Sequence, residues 1–263
     1  MLLNLAVGVA LSSLIGLGGY YKGALSASGA VGAIIVGTAI FGFGGWVWGA
    51  VLIIFFVSSS LLSSFRKGQK ADVAEKFDKD SRRDLGQALA NGGLGAGLAA
   101  ASAIWPSPLW WFAFLGALGA VNADTWATEL GVLSKQMPRL ISSGAPVPAG
   151  TSGGVTWIGT LAALSGGVLI GLAAWVLGGI NAGLGIILAG GVGGLAGALF
   201  DSLLGATLQA IYRCRVCRQE TEKRFCCGQL TRHSRGLVWL NNDLVNFISS
   251  IVGALAAFLV VSG

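Results

Sequence analysis

Asn122-Ala-Asp-Thr-Trp-Ala-Thr-Glu-Leu-Gly131 closes an otherwise apolar run that begins near Leu109. Asp124 and Glu129 therefore stand inside, or at the edge of, a segment long enough to cross hydrocarbon. A carboxylate there costs about 3 kcal/mol or more unless a partner, water or metal meets it, so an intramembrane acid reads as functional first. The bland alternative is a pair of interfacial carboxylates satisfied by caps and neighbours. A second intramembrane acid, Asp201, favours the functional reading. Asp124 and Thr128 share a face at i,i+4, whereas Glu129 is turned from Asp124 by about 140°, so one metal ion is not expected to take both.

Around this stretch the chain is apolar throughout. Of 263 residues, 54% are hydrophobic and only 11% charged, where a soluble domain carries about 25% charged residues. The apolar runs are about twice the length of barrel strands, which excludes an outer-membrane barrel. The 43 glycines suit close packing between membrane helices. The expected fold is an all-α polytopic bundle of about eight transmembrane helices, one integral membrane domain over 1–263. The spans are about Leu2–Tyr20, Ala24–Phe41, Val47–Ser64, a helix opening after Asp84, Leu109–Leu130, Val155–Leu177, Gly183–Gln209, and a last helix opened by Leu237–Asn246 and running to about Val261.

Charge placement orients this bundle. All 17 Lys and Arg lie at Lys22, Arg66–Arg83, Lys135 with Arg139, and Arg213–Arg235. With those loops inside, both termini are outside and each external turn is short and uncharged, as the positive-inside rule requires. The turns are Gly42–Gly45, with Trp46 and Trp48 as interfacial anchors, then Trp105–Pro108 and Gly178–Asn181. The cytoplasmic loops span about 65–83, 131–154 and 210–240. The first helix lacks a basic flank and a cleavage site and reads as retained. The basic loops need no nucleic acid to explain them.

One membrane face then collects the polar residues. Ser81 or Asp84 caps the fourth helix, with Arg82 and Arg83 at the membrane face and Asn91 two turns beyond Asp84. Gly92, Gly93, Gly95 and Gly97 allow close approach of a helix or ligand. Pro146–Thr156, with Gly150, Thr151, Ser152, Gly153 and Gly154, feeds a helix N-terminus, an arrangement suited to cradling phosphate; an ordinary flexible loop is the alternative. Asn241 or Asn242 fits an N-cap, and Asp243 and Asn246 share a face at i,i+3. Cys214, Cys217, Cys226 and Cys227 supply four soft ligands at the spacing of a zinc knuckle, with His233 as a substitute ligand and four free thiols as the alternative. The adjacent Cys226-Cys227 pair looks awkward for one ion.

Hard oxygen ligands at a cytosolic membrane edge suit Mg²⁺ bridging carboxylates and substrate phosphates. The expected chemistry is phosphoryl or nucleotidyl transfer from a nucleotide to a lipid head group. An ion-coupled transporter is the reading from another class.

Three stretches, Asn122–Gly131, Pro148–Thr156 and Trp239–Asn246, together resemble an integral-membrane family that includes plant and cyanobacterial phytyl-phosphate kinase and the animal transmembrane-protein-19 proteins. The resemblance covers nearly the whole chain. That family looks distantly similar to polyprenol kinases and CDP-diacylglycerol synthases. The resemblance implies that CTP or another nucleoside triphosphate converts an isoprenoid monophosphate, such as phytyl or geranylgeranyl phosphate, to the diphosphate. A cytidylyltransferase making a CDP-lipid is the alternative. The family has His-Cys where this chain has Cys226-Cys227, a swap that keeps a zinc ligand. Asp124 and Asp201 are expected to hold Mg²⁺, supported by Glu129, Asp84 or Asp243. Lys135, Arg82, Arg83 and Arg139 would neutralise charge, and Asn91, Asn122, Thr128, Asn242 and Asn246 would complete the site. The membrane would be an inner, plasma or thylakoid-type one, and a homo-oligomer stays open.

Overall fold

A computed structural model describes residues 2–66, 68, 82–178 and 183–262. Among them are eight long helices: α1 (Leu2–Tyr21), α2 (Ala27–Gly44), α3 (Trp46–Ser64), α4 (Leu85–Ile104), α5 (Pro108–Gly131), α6 (Trp157–Gly178), α7 (Gly185–Thr207) and α8 (Asn242–Ser262). Six of them, α1, α2, α3, α6, α7 and α8, are long and apolar enough to cross a membrane. Large side chains point outward from them. Leu14, Leu161 and Leu259 are 70%, 63% and 69% exposed, which a bilayer accommodates and water does not. Ser81, most charges of the first basic loop and the turn at 179–182 lie outside the described residues.

The pillar of the bundle is α5. Every residue from Phe114 to Ala123 is buried, as expected for a helix that is apolar all round. It packs against α6, α7 and α8; α4 joins this group to α2, which carries α1, and α3 packs directly on α5 and α6. Glycines set the spacing. A β-carbon at Gly193 would lie 2.6 Å from Gly116 Cα, and one at Gly194 would lie 2.6 Å from Gly167 Cα. Backbones therefore touch where α5, α6 and α7 meet, and dispersion between main chains replaces side-chain packing.

Asn122 locks the pillar in rotation. Its Oδ1 accepts from Ser58 Oγ at 3.2 Å and Ser59 Oγ at 3.0 Å, and its Nδ2 donates to the Gly166 carbonyl at 2.8 Å. One fully buried amide thus ties α3, α5 and α6 together. This corrects the expectation that Asn122 binds nucleotide: its polar atoms are already committed. Asn122→Ala is expected to lower unfolding free energy by about 2 kcal/mol or more, because the hydroxyls and the carbonyl lose a partner in a dry interior. A fall in the thermal midpoint of the detergent-solubilised protein measures it.

Several boundaries differ from the sequence reading for local reasons. α2 continues through Gly44, and the turn reduces to Gly45, whose φ of +81° favours glycine. Trp46 is exposed, but Trp48 is buried against Trp111 and Phe114, with ring centroids 5.0 and 4.6 Å away, so only Trp46 suits an interfacial anchor. Leu237–Asn241 is not helical. Leu237 N–H donates to Leu208 O and Ala210 N–H to Leu240 O, folding this segment over the end of α7. Asn241 Oδ1 accepts from Leu244 N–H at 3.0 Å, which makes Asn241 the cap of α8.

The loops carry the only sheets among the described residues, a departure from a purely helical chain. β1 (Arg139–Leu140) pairs antiparallel with β2 (Gly154–Val155). In the third loop, β3 (Ile211–Arg213) lies between β4 (Glu220–Thr221) and β7 (Arg232–Arg235), while β5 (Phe225–Cys226) and β6 (Gln229–Leu230) form a hairpin.

Candidate functional site

The polar residues gather at one end of the bundle. There the end of α1 meets the start of α4, through a parallel bridge between Leu25 and Arg83. The ends of α3 and α5 meet where Ser63 Oγ donates to Glu129 Oε1 at 2.6 Å. The starts of α4 and α8 meet where Asn246 Nδ2 donates to Asn91 Oδ1 at 3.4 Å. The two carboxylates of α5 serve different neighbours, as their 140° offset demands. Asp124 lies within electrostatic reach of Asp201 and Glu222, whereas Glu129 faces Arg83.

Asp124, Asp201 and Glu222 come from α5, α7 and the turn after β4. Asp201 Oδ2 is shut from solvent and has no hydrogen-bond partner, with Ser249 of α8 facing the same carboxyl group. Glu222 Oε1 accepts from Ser152 Oγ at 2.9 Å and from Gln209 Nε2 at 2.8 Å. Gln209 is itself buried at the end of α7. Carboxylate oxygens are the donor type a hard divalent cation takes, and Asp201 Oδ2 is free to serve, but among the described residues only the four cysteines converge closely enough to form a preformed metal site.

Glu222 and Gln209 were missed by sequence reasoning. The available signal was an acidic residue within the strongly basic Arg213–Arg235 segment. Arg235 was also missed. Its Nη1 donates to Gly205 O and Ala206 O, both at 3.0 Å, and so ends the helix that carries Asp201.

The glycine-rich loop sits against this cluster, though not as an open cradle. Gly153, at φ +82°, packs so closely on Ala206 that a β-carbon would collide with that residue's backbone. Thr151 N–H donates to Pro148 O and Gly154 N–H to Thr151 O, so two of the expected cradle donors are used inside the loop. The loop feeds β2, and α6 begins only at Trp157, capped by Thr156 Oγ accepting from Gly159 N–H at 3.0 Å. What the loop does form is one wall of a cavity of about 430 Å³. Pro148, Gly150, Thr151 and Ser152 line one side, and Gln219, Glu220 and Glu222 line the other.

Other expected site residues have different local tasks. Asp84 and Gln87 make a reciprocal capping box on α4, with Asp84 Oδ1 accepting from Gln87 N–H at 2.9 Å. Arg139 Nη1 donates to Gly144 O within its own loop at 2.8 Å. Arg82, Thr128 and Lys135 are exposed, and Asn242 and Asp243 are half-buried in the first turn of α8. Arg83 is the basic residue that turns inward.

The four cysteines do converge. Their sulfurs all lie within 4.8 Å of one another, with Cys217 to Cys226 at 3.9 Å and Cys226 to Cys227 at 3.8 Å. Four sulfurs at about 2.3 Å from one tetrahedral ion stand about 3.8 Å apart. The adjacent pair is therefore not awkward: Cys227 and Gly228 both adopt positive φ, turning the two sulfurs to the same side. Burial raises the Cys214 thiol, but N–H groups of Cys217 and Val216 and thiol contacts from Cys226 and Cys217 outweigh it and bring it to about 6. Contact with Cys214 pushes Cys226 up to about 12. Thiols that oppose each other's ionisation are the kind a divalent ion relieves. His233 stays outside, edge-on to Tyr212 with ring centroids 5.7 Å apart, and is no substitute ligand.

The sequence matches the family described as "Integral membrane protein DUF92" over residues 10–254. The chain belongs to that family. It is 34% identical to "Protein PGR" of Arabidopsis thaliana, covering 95% of this chain and 93% of the plant protein. It is 32% identical to "Uncharacterized membrane protein MJ0933" of Methanocaldococcus jannaschii, covering 90% of this chain and 85% of that protein. The family found is the one the motifs resemble. No solved structure matches the chain. The match spans α5, the glycine-rich loop, α7 and the cysteine hairpin, so the DUF92 region contains the whole carboxylate cluster.

Proposed function

We propose that this DUF92 protein is a Mg²⁺-dependent kinase that moves a phosphoryl group from CTP or another nucleoside triphosphate to an isoprenoid monophosphate. The observation that carries this reading is that Asp124, Asp201 and Glu222 lie within electrostatic reach of one another, with Glu222 held by Ser152 of the glycine-rich loop and one Asp201 oxygen unmatched. In the same reading all eight long helices cross the membrane, both termini lie outside, and the site faces the cytoplasm, where nucleotide is available. The positive-inside rule supports that orientation.

Asp124, Asp201 and Glu222 would hold Mg²⁺, which would supply charge neutralisation for the nucleotide phosphates. Ser152 and Gln209 fix the Glu222 carboxylate by donating to it. The Pro148–Ser152 wall of the cavity positions the nucleotide against that carboxylate. The acceptor is a phosphate monoester whose second pKa is about 6, so it is a nucleophilic anion at neutral pH and needs no general base. Catalysis is positioning plus electrostatics, and His233, which lies apart, takes no part. The cysteine cluster would hold a structural zinc that fixes the fold of the loop carrying Glu222.

The decisive assay adds γ-³²P-labelled CTP or ATP, Mg²⁺ and phytyl, farnesyl or geranylgeranyl monophosphate to purified protein. Label in the prenyl diphosphate, with release of nucleoside diphosphate, is the expected result. Pyrophosphate release with a CDP-lipid product would instead make it a cytidylyltransferase, and no product with any acceptor sinks the enzyme reading. Glu222→Gln keeps both hydrogen-bond partners but removes the charge. It is expected to cut turnover about 10- to 100-fold, with nucleotide KM rising and, without Mg²⁺, a thermal midpoint that matches or exceeds the parent's.

A further inference from the structure

A second cavity, whose lining shares no residue with the first, lies among α1, α2, α3 and α4. It is a narrow crevice of about 80 Å³, open to the surroundings along part of its length. Ile15, Val36, Phe41, Leu52, Ile53 and Phe56 make its wall apolar. Arg83, Gln87 and Asn91 of the α4 segment line one side of it, with Arg83 at its end, and Ser12 of α1 lines it beside Gly37. From Ala33 to Phe41 it follows α2 for about 12 Å, longer than a head group alone requires.

Arg83 is built for a ligand at that end. Its backbone is fixed on both sides: Arg83 N–H donates to Ala24 O at 3.0 Å, and Ser26 N–H donates to Arg83 O at 3.0 Å. Gly29 leaves the room this needs, since a β-carbon there would run into the Arg83 carbonyl. The guanidinium sits over the rings of Phe55 and Phe56, 5.7 and 5.8 Å from their centroids. Its Nη1 is shut from solvent and has no hydrogen-bond acceptor. Glu129, held by Ser63, supplies countercharge, yet that donor stays unmatched. A buried cationic N–H without an acceptor is costly, and a phosphate offers the forked acceptor that guanidinium prefers.

We infer that this crevice binds a single-chain lipid phosphomonoester, its phosphate on Arg83 and its chain along the α1–α4 slot. A single chain fits because α2 and α4 close on each other where Gly92 meets Val36. The inference deepens the kinase reading, since it supplies a seat for the acceptor. It rests on that reading only for the identity of the natural lipid.

The test uses purified full-length protein in detergent, without nucleotide or Mg²⁺, and a photoreactive hexadecyl phosphate carrying a diazirine in the chain. Saturable labelling mapped to α1–α4, with adducts around Ile53 and Phe56, is expected. Arg83→Gln should lower saturable labelling about tenfold or more, as should replacing the phosphate by an alcohol. Ile53→Trp, which fills the slot and leaves Arg83 in place, should block labelling at an unchanged thermal midpoint. Adducts confined to α5–α8, or equal labelling by the alcohol, overturns the site. The kinase assay separates the two ideas. Saturable α1–α4 labelling without phosphoryl transfer keeps the lipid site and discards the kinase; transfer without such labelling does the reverse.

Discussion

Asp201→Asn and Asp124→Asn are each expected to reduce phosphoryl transfer at least about a hundredfold while the protein still inserts and folds. The two amides keep the size of the carboxyl group and remove its charge. In a site whose catalysis is charge neutralisation, that loss falls on the chemical step, so kcat drops rather than KM alone. Asp201 should be the more severe of the two for metal affinity, because its Oδ2 has no protein donor to satisfy it. The variants also carry a stability signature opposite to most core substitutions. Removing one of three neighbouring negative charges relieves repulsion among Asp124, Asp201 and Glu222. Each Asn variant should therefore match or exceed the parent's thermal midpoint when Mg²⁺ is withheld, and should lose the stabilisation that Mg²⁺ gives the parent. Full activity in both variants would remove the metal-site reading.

The second large effect concerns the thiol cluster. Stripping metal with a strong chelator, or replacing Cys217 or Cys226 by Ser, is expected to abolish activity with the helices still embedded. Structural zinc sites in small loops contribute about 10 kcal/mol or more of folding free energy, far more than the two- to four-residue strands here supply by hydrogen bonding. β5 and β6 pair over only two residues each, so the hairpin has little else to hold it. Losing it frees the turn that presents Glu222 to Ser152 and Gln209. Metal analysis of the purified protein should give one zinc per chain, and helical circular dichroism should survive chelation. Full activity after verified removal of all zinc would make the cluster four plain thiols.

Much of this architecture was legible in the sequence, because long apolar runs and basic loops are governed by composition. The stretch Asn122–Gly131 gave α5 its place, and the 140° turn between Asp124 and Glu129 correctly separated their neighbours. Less legible was whatever depended on contacts far apart along the chain. Asn122 looked like a ligand residue because periodicity cannot show that Ser58, Ser59 and Gly166 already satisfy it. Asp84 was read both as a cap and as a site residue, and the geometry gives it the cap. Glu222 was passed over since nothing local distinguishes it from other hairpin acids; its importance comes from a bond to Ser152, 70 residues away. The cysteine pair misled through spacing alone, where two positive-φ residues decide where the sulfurs point.

The origin of Glu222 in a loop rather than a helix also bears on how the protein is made. Asp124 leaves the ribosome about a hundred residues before Glu222 does, and Asp201 follows in between. Chains emerge and fold from the N-terminal end. During synthesis α5 is therefore made after Ser63 and Arg83, which meet its Glu129, and before Asp201 and Glu222, which neighbour its Asp124. On the kinase reading, the late-made hairpin is the part that completes the site. A chain cut short after α7 would hold Asp124 and Asp201 without Glu222.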